Sequence, residues 1–216
     1  MSIKGEAKLK VASDANKGSV TLFVAVSRPA SLHLESLDFF GRPQAVLVCD
    51  GVRFAFLNGQ DGTFYQGPAS PRNVSRFLPV ALRPQDWVLL LLGEVPRLPG
   101  DPAAFALDVP AASYQVKLES EGARQTLWID PATFRLRASR VEGRAGYYVA
   151  FDDLEDLGGA PFPRHLALEV PRPASRWELR YTDVAPNEVI DPELFHLTPP
   201  PGARVIAVDD QGTELR

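Results

Sequence analysis

The groups in this 216-residue sequence that could carry chemistry are three histidines, one cysteine and one acidic run. His33, His165 and His196 are too dispersed to share local metal-ligand spacing, and no His-x-x-x-His or paired-cysteine motif occurs. They read as surface or rim histidines. Cys49 ends an apolar run, Ala45 to Val48, whereas a reactive thiolate needs an electropositive, accessible position; it reads as a buried structural thiol. A single cysteine forms no internal disulfide and leaves the redox compartment open. Asp152, Asp153, Glu155 and Asp156 are interrupted by Leu154 and do not match the spacing of a calcium loop, so a solvated loop is expected. With no Gly-x-Ser-x-Gly elbow and no phosphate-cradling glycine loop, the sequence predicts no catalytic residue, no metal and no cofactor.

The elements around these residues are more informative. Arg83 to Pro96, RPQDWVLLLLGEVP, opens with a helix start at Pro84 and Asp86, continues with six apolar residues from Trp87 to Leu92, and stops at Gly93. It is far shorter than the ~20 residues a bilayer crossing requires, so other parts of the protein must surround it. Ser70-Pro71 fits an N-cap with proline at the first helical position, and Val74, Phe77 and Leu78 follow at helical spacing. Two short helices therefore stand between two blocks of strands. Before them come alternating segments from Lys4 to Gln66, with Asp50-Gly51 as a hairpin turn. After them, Pro99 to Pro110 reads as a loop without period. Strands then resume from Ser113 to Asp183, with Asp130-Pro131 opening a tight turn, and an apolar Val205 to Val208 lies in the tail. The even spacing predicts roughly ten or eleven strands in an antiparallel sheet or barrel.

A content of 45% hydrophobic residues supports a good core, and the expectation is one domain spanning 1–216. The net charge of −4 argues against nucleic acid as a partner, because a phosphate-binding surface needs surplus Lys and Arg. Inward-facing strand residues and two greasy helices make either a solid core or a lined cavity, and periodicity does not separate the two. The segment after Ile3 already alternates as a strand. The protein is then either cytoplasmic or has had a leader removed.

Four segments carry a resemblance: Leu37-Asp-Phe-Phe-Gly41 before a hairpin, Trp87 to Pro96, Trp128-Ile-Asp-Pro131, and Ile190-Asp-Pro-Glu-Leu-Phe195 followed by Thr198-Pro-Pro-Pro-Gly202. Together they make the chain similar to the bacterial lipoprotein-localisation factors LolA and LolB and to outer-membrane lipoprotein-carrier-like proteins. The resemblance implies a mainly β, single-domain, half-open antiparallel barrel with helices covering a concave face that holds acyl chains. It also implies a non-enzymatic carrier or receptor, in the periplasm or at the periplasmic face of the outer membrane. Its partners would be lipoprotein acyl chains or lipids, with membrane-surface contact and an envelope protein as further possibilities. Phe39 and Phe40 occupy the turn that touches the membrane in the LolB type; the other reading is that both rings cap the barrel end. A lipidated cysteine after a signal peptide, found in that type, has no counterpart here, since Cys49 is internal.

Strand parity gives the expected lining of such a cavity: Phe54, Phe56, Phe77, Trp87, Leu91, Val116, Leu118, Leu168, Trp177 and Leu179. Two rival functions stay open. One is a protein-binding or sensor module of an envelope complex with a filled core. The other, weaker one is an enzyme that uses the cavity to shape an apolar substrate.

Overall fold

The computed structural model describes every residue except Ala15, Asn16, Phe39, Ala111, Arg144 and Arg216. Its first half contains strands β1 (Ser2–Ser13), β2 (Lys17–Ser27), β3 (Ser31–Leu37), β4 (Pro43–Cys49), β5 (Arg53–Asn58) and β6 (Thr63–Pro68). Helices α1 (Pro71–Val74) and α2 (Pro84–Leu91) follow. The second half contains β7 (Pro102–Asp108), β8 (Ser113–Ser120), β9 (Ala123–Ile129), β10 (Leu136–Gly143), β11 (Tyr147–Leu157), β12 (Ala160–Pro171) and β13 (Ala174–Pro186). A 3-10 turn at Pro192–Phe195 and strand β14 (Arg204–Ala207) complete the chain.

All strands join one 14-stranded open sheet in the order β14-β6-β5-β4-β3-β2-β1-β13-β12-β11-β10-β9-β8-β7. Pairing is antiparallel throughout except between β14 and β6, which run parallel. The mainly β, half-open architecture implied by the resemblance is therefore present, with more strands than the ten or eleven expected from spacing. One of the additional strands corrects the reading of Pro99 to Pro110 as a loop. Pro102–Asp108 pairs with β8, with Phe105 opposite Val116 and Leu107 opposite Tyr114. The segment gives little strand signal because it lacks β-branched residues, and it survives as an edge strand because such a strand needs a partner on one side only; its proline stands at the start, where no ladder bond is lost.

Alternation separates the two faces. On the inner face, Leu34, Leu47, Phe56 and Tyr65 stand directly across from one another on β3 to β6, and Leu168, Trp177 and Val11 do the same on β12, β13 and β1. The outer face of β12 and β13 is charged, with Arg176 bridging Glu169 at 3.0 Å and Glu178 at 2.9 Å. On the outer face of β4 to β6, Val46, Val48, Ala55 and Phe64 form a second small core, closed by Leu197 and Ala203 of the tail. The tail reaches that position held by His33, whose Nδ1 lies 2.7 Å from the Leu194 carbonyl.

Candidate functional site

Helix α2 lies on the inner face over β2 and β3, and it is attached unequally at its two ends. Trp87, Val88, Leu90, Leu91 and Leu92 are at most 6% exposed and join side chains of β1 to β3 and β11 to β13 in the main core. At the C-terminal end the last helical carbonyls are all answered. Leu89 accepts from Glu94 N–H at 2.8 Å, Leu90 from Gly93 N–H at 3.0 Å, and Leu91 from the Tyr181 hydroxyl at 2.8 Å. Gly93 adopts φ +79°, and a Cβ there would stand 2.5 Å from the Pro163 ring, so the chain leaves the helix pressed against β12. The following segment is fixed by the buried Gln125, whose Nε2 donates to the Pro96 carbonyl at 2.8 Å and whose Oε1 accepts from Leu98 N–H at 2.9 Å.

The N-terminal end is self-contained. Arg83 supplies no side-chain cap, and its guanidinium instead grips Asp86 through Nε to Oδ2 at 2.8 Å and a second nitrogen to Oδ1 at 2.9 Å. Two buried donors at this end have no partner: the Trp87 indole N–H and the hydroxyl of Tyr147 on β11. Burial, followed by the nearby Asp86 charge, pushes the Tyr147 phenol well above its ordinary value.

Three clefts lie near the connection between the helices, and two of them are bordered by it. One of about 780 Å³ lies between the segment 75–81 and the ends of β1, β12 and β13. A second of about 840 Å³ adjoins it at the same sheet end and shares Ser13, Val170 and Arg172 with it. The third, of about 110 Å³, is lined by Leu9, Leu22, Leu34, Leu47 and Phe56 of the sheet, and it shares Phe77, Leu78 and Trp177 with the 780 Å³ cleft. Phe77, with Leu78 and Trp177, therefore stands between a large space and a small, more apolar one. It is half-buried, stacked on Phe56 with centroids 3.8 Å apart, and flanked by Tyr65 at 5.6 Å and Phe54 at 6.0 Å. Backbone order in α1 supports that placement: the Ser70 hydroxyl accepts from Asn73 N–H at 3.3 Å, and Asn73 Nδ2 donates to Pro68 and Asp209 carbonyls at 2.9 Å.

The residues expected to line a cavity fall into three groups. Phe56, Phe77 and Trp177 line the clefts. Phe54, Trp87, Leu91, Leu168 and Leu179 sit in the packed core beside them. Val116 and Leu118 lie on β8, beyond Gln125 and away from all three clefts. Phe40 is 77% exposed in the β3–β4 turn with the Arg42 guanidinium 5.4 Å from its ring centre, and Phe39 lies outside the described residues. Asp38 organises this turn, accepting from Phe40 N–H and Arg42 N–H at 2.8 Å each, and the Arg42 backbone bond is the leading reason its carboxyl stays below the usual range. Cys49 is fully buried, and burial pushes its thiol up to about 11. Each histidine has a local partner: His33 also meets Glu35, His165 meets Asp152, and His196 stands 3.7 Å from Asp50. Among the described residues, no group of three or more His, Cys, Asp or Glu side chains could hold a metal ion, and no helix is long and apolar enough to cross a membrane.

Sequence reasoning missed Tyr147, Tyr181 and Gln125. The two tyrosines alternate inward like their neighbours and read simply as apolar. A glutamine on an inward position of β9, opposite Leu118 and Val141, was the one local anomaly that could have flagged the crossing of Pro96 to Leu98.

No family model matches the sequence, and no curated protein does. Solved structures do match in fold. An outer membrane lipoprotein-sorting protein domain from Vibrio parahaemolyticus superposes with TM-score 0.58 at 9% identity, over 89% of this chain and 88% of that one. A LolA superfamily protein from Nitrosomonas europaea gives TM-score 0.58 at 12% identity, over 91% and 90%. A DUF1329 family protein from Desulfovibrio piger gives TM-score 0.58 at 11% identity, over 90% and 89%. At these identities the likeness is one of fold, and the resemblance seen in the sequence motifs agrees with it.

Proposed function

We propose that the protein is a non-catalytic carrier or receptor that binds acyl chains of lipoproteins or lipids between the inner sheet face and the segment joining α1 to α2. The single observation supporting it most is Phe77, which with Leu78 and Trp177 stands between the apolar 110 Å³ space and the 780 Å³ cleft beside it. Joined, the two fall within the ~300 to 1,000 Å³ usual for small-ligand sites, and each methylene transferred there from water contributes ~0.8 kcal/mol. Phe56 and Trp177 form the lining, and the polar rim at Arg76 and Arg172 leaves a headgroup in water. The exposed ring of Phe40 is the membrane-contact residue in this reading, beside Asp38, which accepts from the Phe40 and Arg42 N–H groups. The working place is the periplasm or the periplasmic face of the outer membrane, where an envelope protein would deliver or receive the cargo.

The fact that Phe54, Trp87, Leu91, Leu168 and Leu179 are packed in the core favours, as a second reading, a protein-binding or sensor module with no ligand. Displacement of a fluorescent fatty acid, together with mass spectrometry of a lipid extract of the purified protein, decides between them. Saturable uptake that Phe77→Asp or Trp177→Asp abolishes supports the carrier; an empty extract with no uptake supports the module.

A further inference from the structure

We propose that β7 is the pairing edge of a two-fold dimer, its occupant the β7 strand of a second copy of this chain. The two edges of the sheet are finished differently. At the β14 edge the chain folds back on itself, with Leu215 N–H donating to the Ala207 carbonyl at 2.8 Å and Val208 bridged to Glu214. At the β7 edge nothing comparable is present among the described residues: six of its seven residues are exposed, including Phe105 at 73% and Leu107 at 60%. Natural edge strands are blunted by lysines, inward charges or bulges that twist them away. β7 has a bulge only near its start, between Pro102 and Ala104, and its one charge, Asp108, is held at its end by Gln115 Nε2 at 2.5 Å.

The exposed surface is an apolar face attached to a row of strand hydrogen-bonding groups. A lipid surface could cover Phe105 and Leu107 but would leave those backbone groups without partners, whereas a strand satisfies both. The fold-back occupies the Ala207 and Val208 end of the β14 edge, and a β7-to-β14 contact would propagate into a filament. Pairing β7 with β7 is isologous and closes at two copies. An antiparallel register centred on Ala106 sets Phe105 of each copy opposite Leu107 of the other and continues the rows through Val116 and Tyr114. Phe105, Leu107 and Val109 together leave ~400 Å² of apolar surface in water per copy. With the strand backbone, the pair would bury ~1,000 to 1,200 Å², the lower end of specific interfaces, so micromolar association is expected. No residue of β7 lines any of the three clefts, so the dimer leaves them open.

Sedimentation equilibrium of the full chain from about 1 to about 100 µM tests this. The expected result is a monomer–dimer equilibrium reaching twice 23.6 kDa, with hydrogen exchange of the β7 amides slowing as concentration rises. The double variant Phe105→Lys, Leu107→Lys should stay monomeric at the wild-type melting temperature, and Leu107→Glu alone should weaken pairing at least tenfold. A wild-type monomer at the highest concentration overturns the proposal, whether or not it sediments with lipid vesicles. So does a dimer that the lysine variant leaves intact, or a mass that grows beyond two copies.

Discussion

Replacing Phe77 by Ala separates a gate from a wall. The ring is half-buried and stacked on Phe56 at 3.8 Å, with Phe54 and Tyr65 on its flanks. Fully buried phenylalanines cost ~3 to 5 kcal/mol on truncation, and a half-exposed one loses about half of that, so stability should fall by ~2 kcal/mol. Truncation also removes one of the three side chains, with Leu78 and Trp177, that stand between the 110 Å³ and 780 Å³ spaces. If the closed position of Phe77 keeps the entry-competent state to a few per cent, removing the ring raises the association rate of an acyl probe by ~10-fold or more. Stopped-flow mixing with a fluorescent fatty acid reads the rate, and urea melts read the stability. Tyr181→Phe is the companion variant, since it loosens the C-terminal end of α2 without touching the connection. An unchanged rate in Phe77→Ala beside a raised rate in Tyr181→Phe would place the gate at α2 and refute the assignment to Phe77.

Tyr181→Phe itself strands the Leu91 carbonyl in the core and should cost ~1 to 3 kcal/mol, seen as faster hydrogen exchange at the end of α2. Tyr147→Phe removes a buried hydroxyl that has no partner, so its melting temperature should be equal or higher; a marked loss would mean the hydroxyl is satisfied in solution. Gly93→Ala combines a left-handed φ of +79° with a Cβ 2.5 Å from Pro163, and a drop of ~2 kcal/mol or more in thermal or urea melts is expected. For Cys49 the folded state holds the proton more tightly than the unfolded state. The stability this contributes is therefore complete below the ordinary thiol value of 9.0 and is lost as pH rises toward about 11. A disulfide reagent at pH 8 should accordingly label Cys49 no faster than the protein unfolds, and prompt labelling would contradict the burial.

Sequence reasoning recovered what depends on local period and turn chemistry. Alternation in Trp177, Leu179 and Tyr181 placed β13, Asp50-Gly51 placed the β4–β5 hairpin, and Ser70-Pro71 placed the start of α1. It failed where identity is decided by a distant partner. Pro102–Asp108 is a strand because β8 offers it a ladder, and Arg204–Ala207 is a strand because the tail passes behind β4 to β6 and returns beside β6. Parity also named an inner face without distinguishing its covered, cleft-lining and open stretches. That is why Val116 and Leu118 were grouped with Phe56 although Gln125 and the segment it holds stand between them.

The energetics of α2 restrict how a ligand could enter. Its five core side chains, Trp87, Val88, Leu90, Leu91 and Leu92, are nearly unexposed, and each is worth ~1.5 to 3 kcal/mol in burial, about 10 kcal/mol together. That is comparable to the whole stability of a typical domain, ~5 to 15 kcal/mol, so lifting the helix from the sheet would amount to unfolding. The greasy run that the resemblance makes a cover over the concave face is, in the folded chain, the part least able to move. Motion at lower cost belongs to the segment 75–81, which is half-exposed in part and borders two clefts. The unpartnered Trp87 and Tyr147 donors lie at the end of α2 nearer that segment, whereas Tyr181 and Gly93 hold the far end. A ligand would therefore displace the approach to α2, the segment before Pro84, while the helix itself stays attached. A Leu90→Ala, Leu91→Ala double variant should then lose stability heavily, by ~4 kcal/mol or more, before ligand affinity can be read at all.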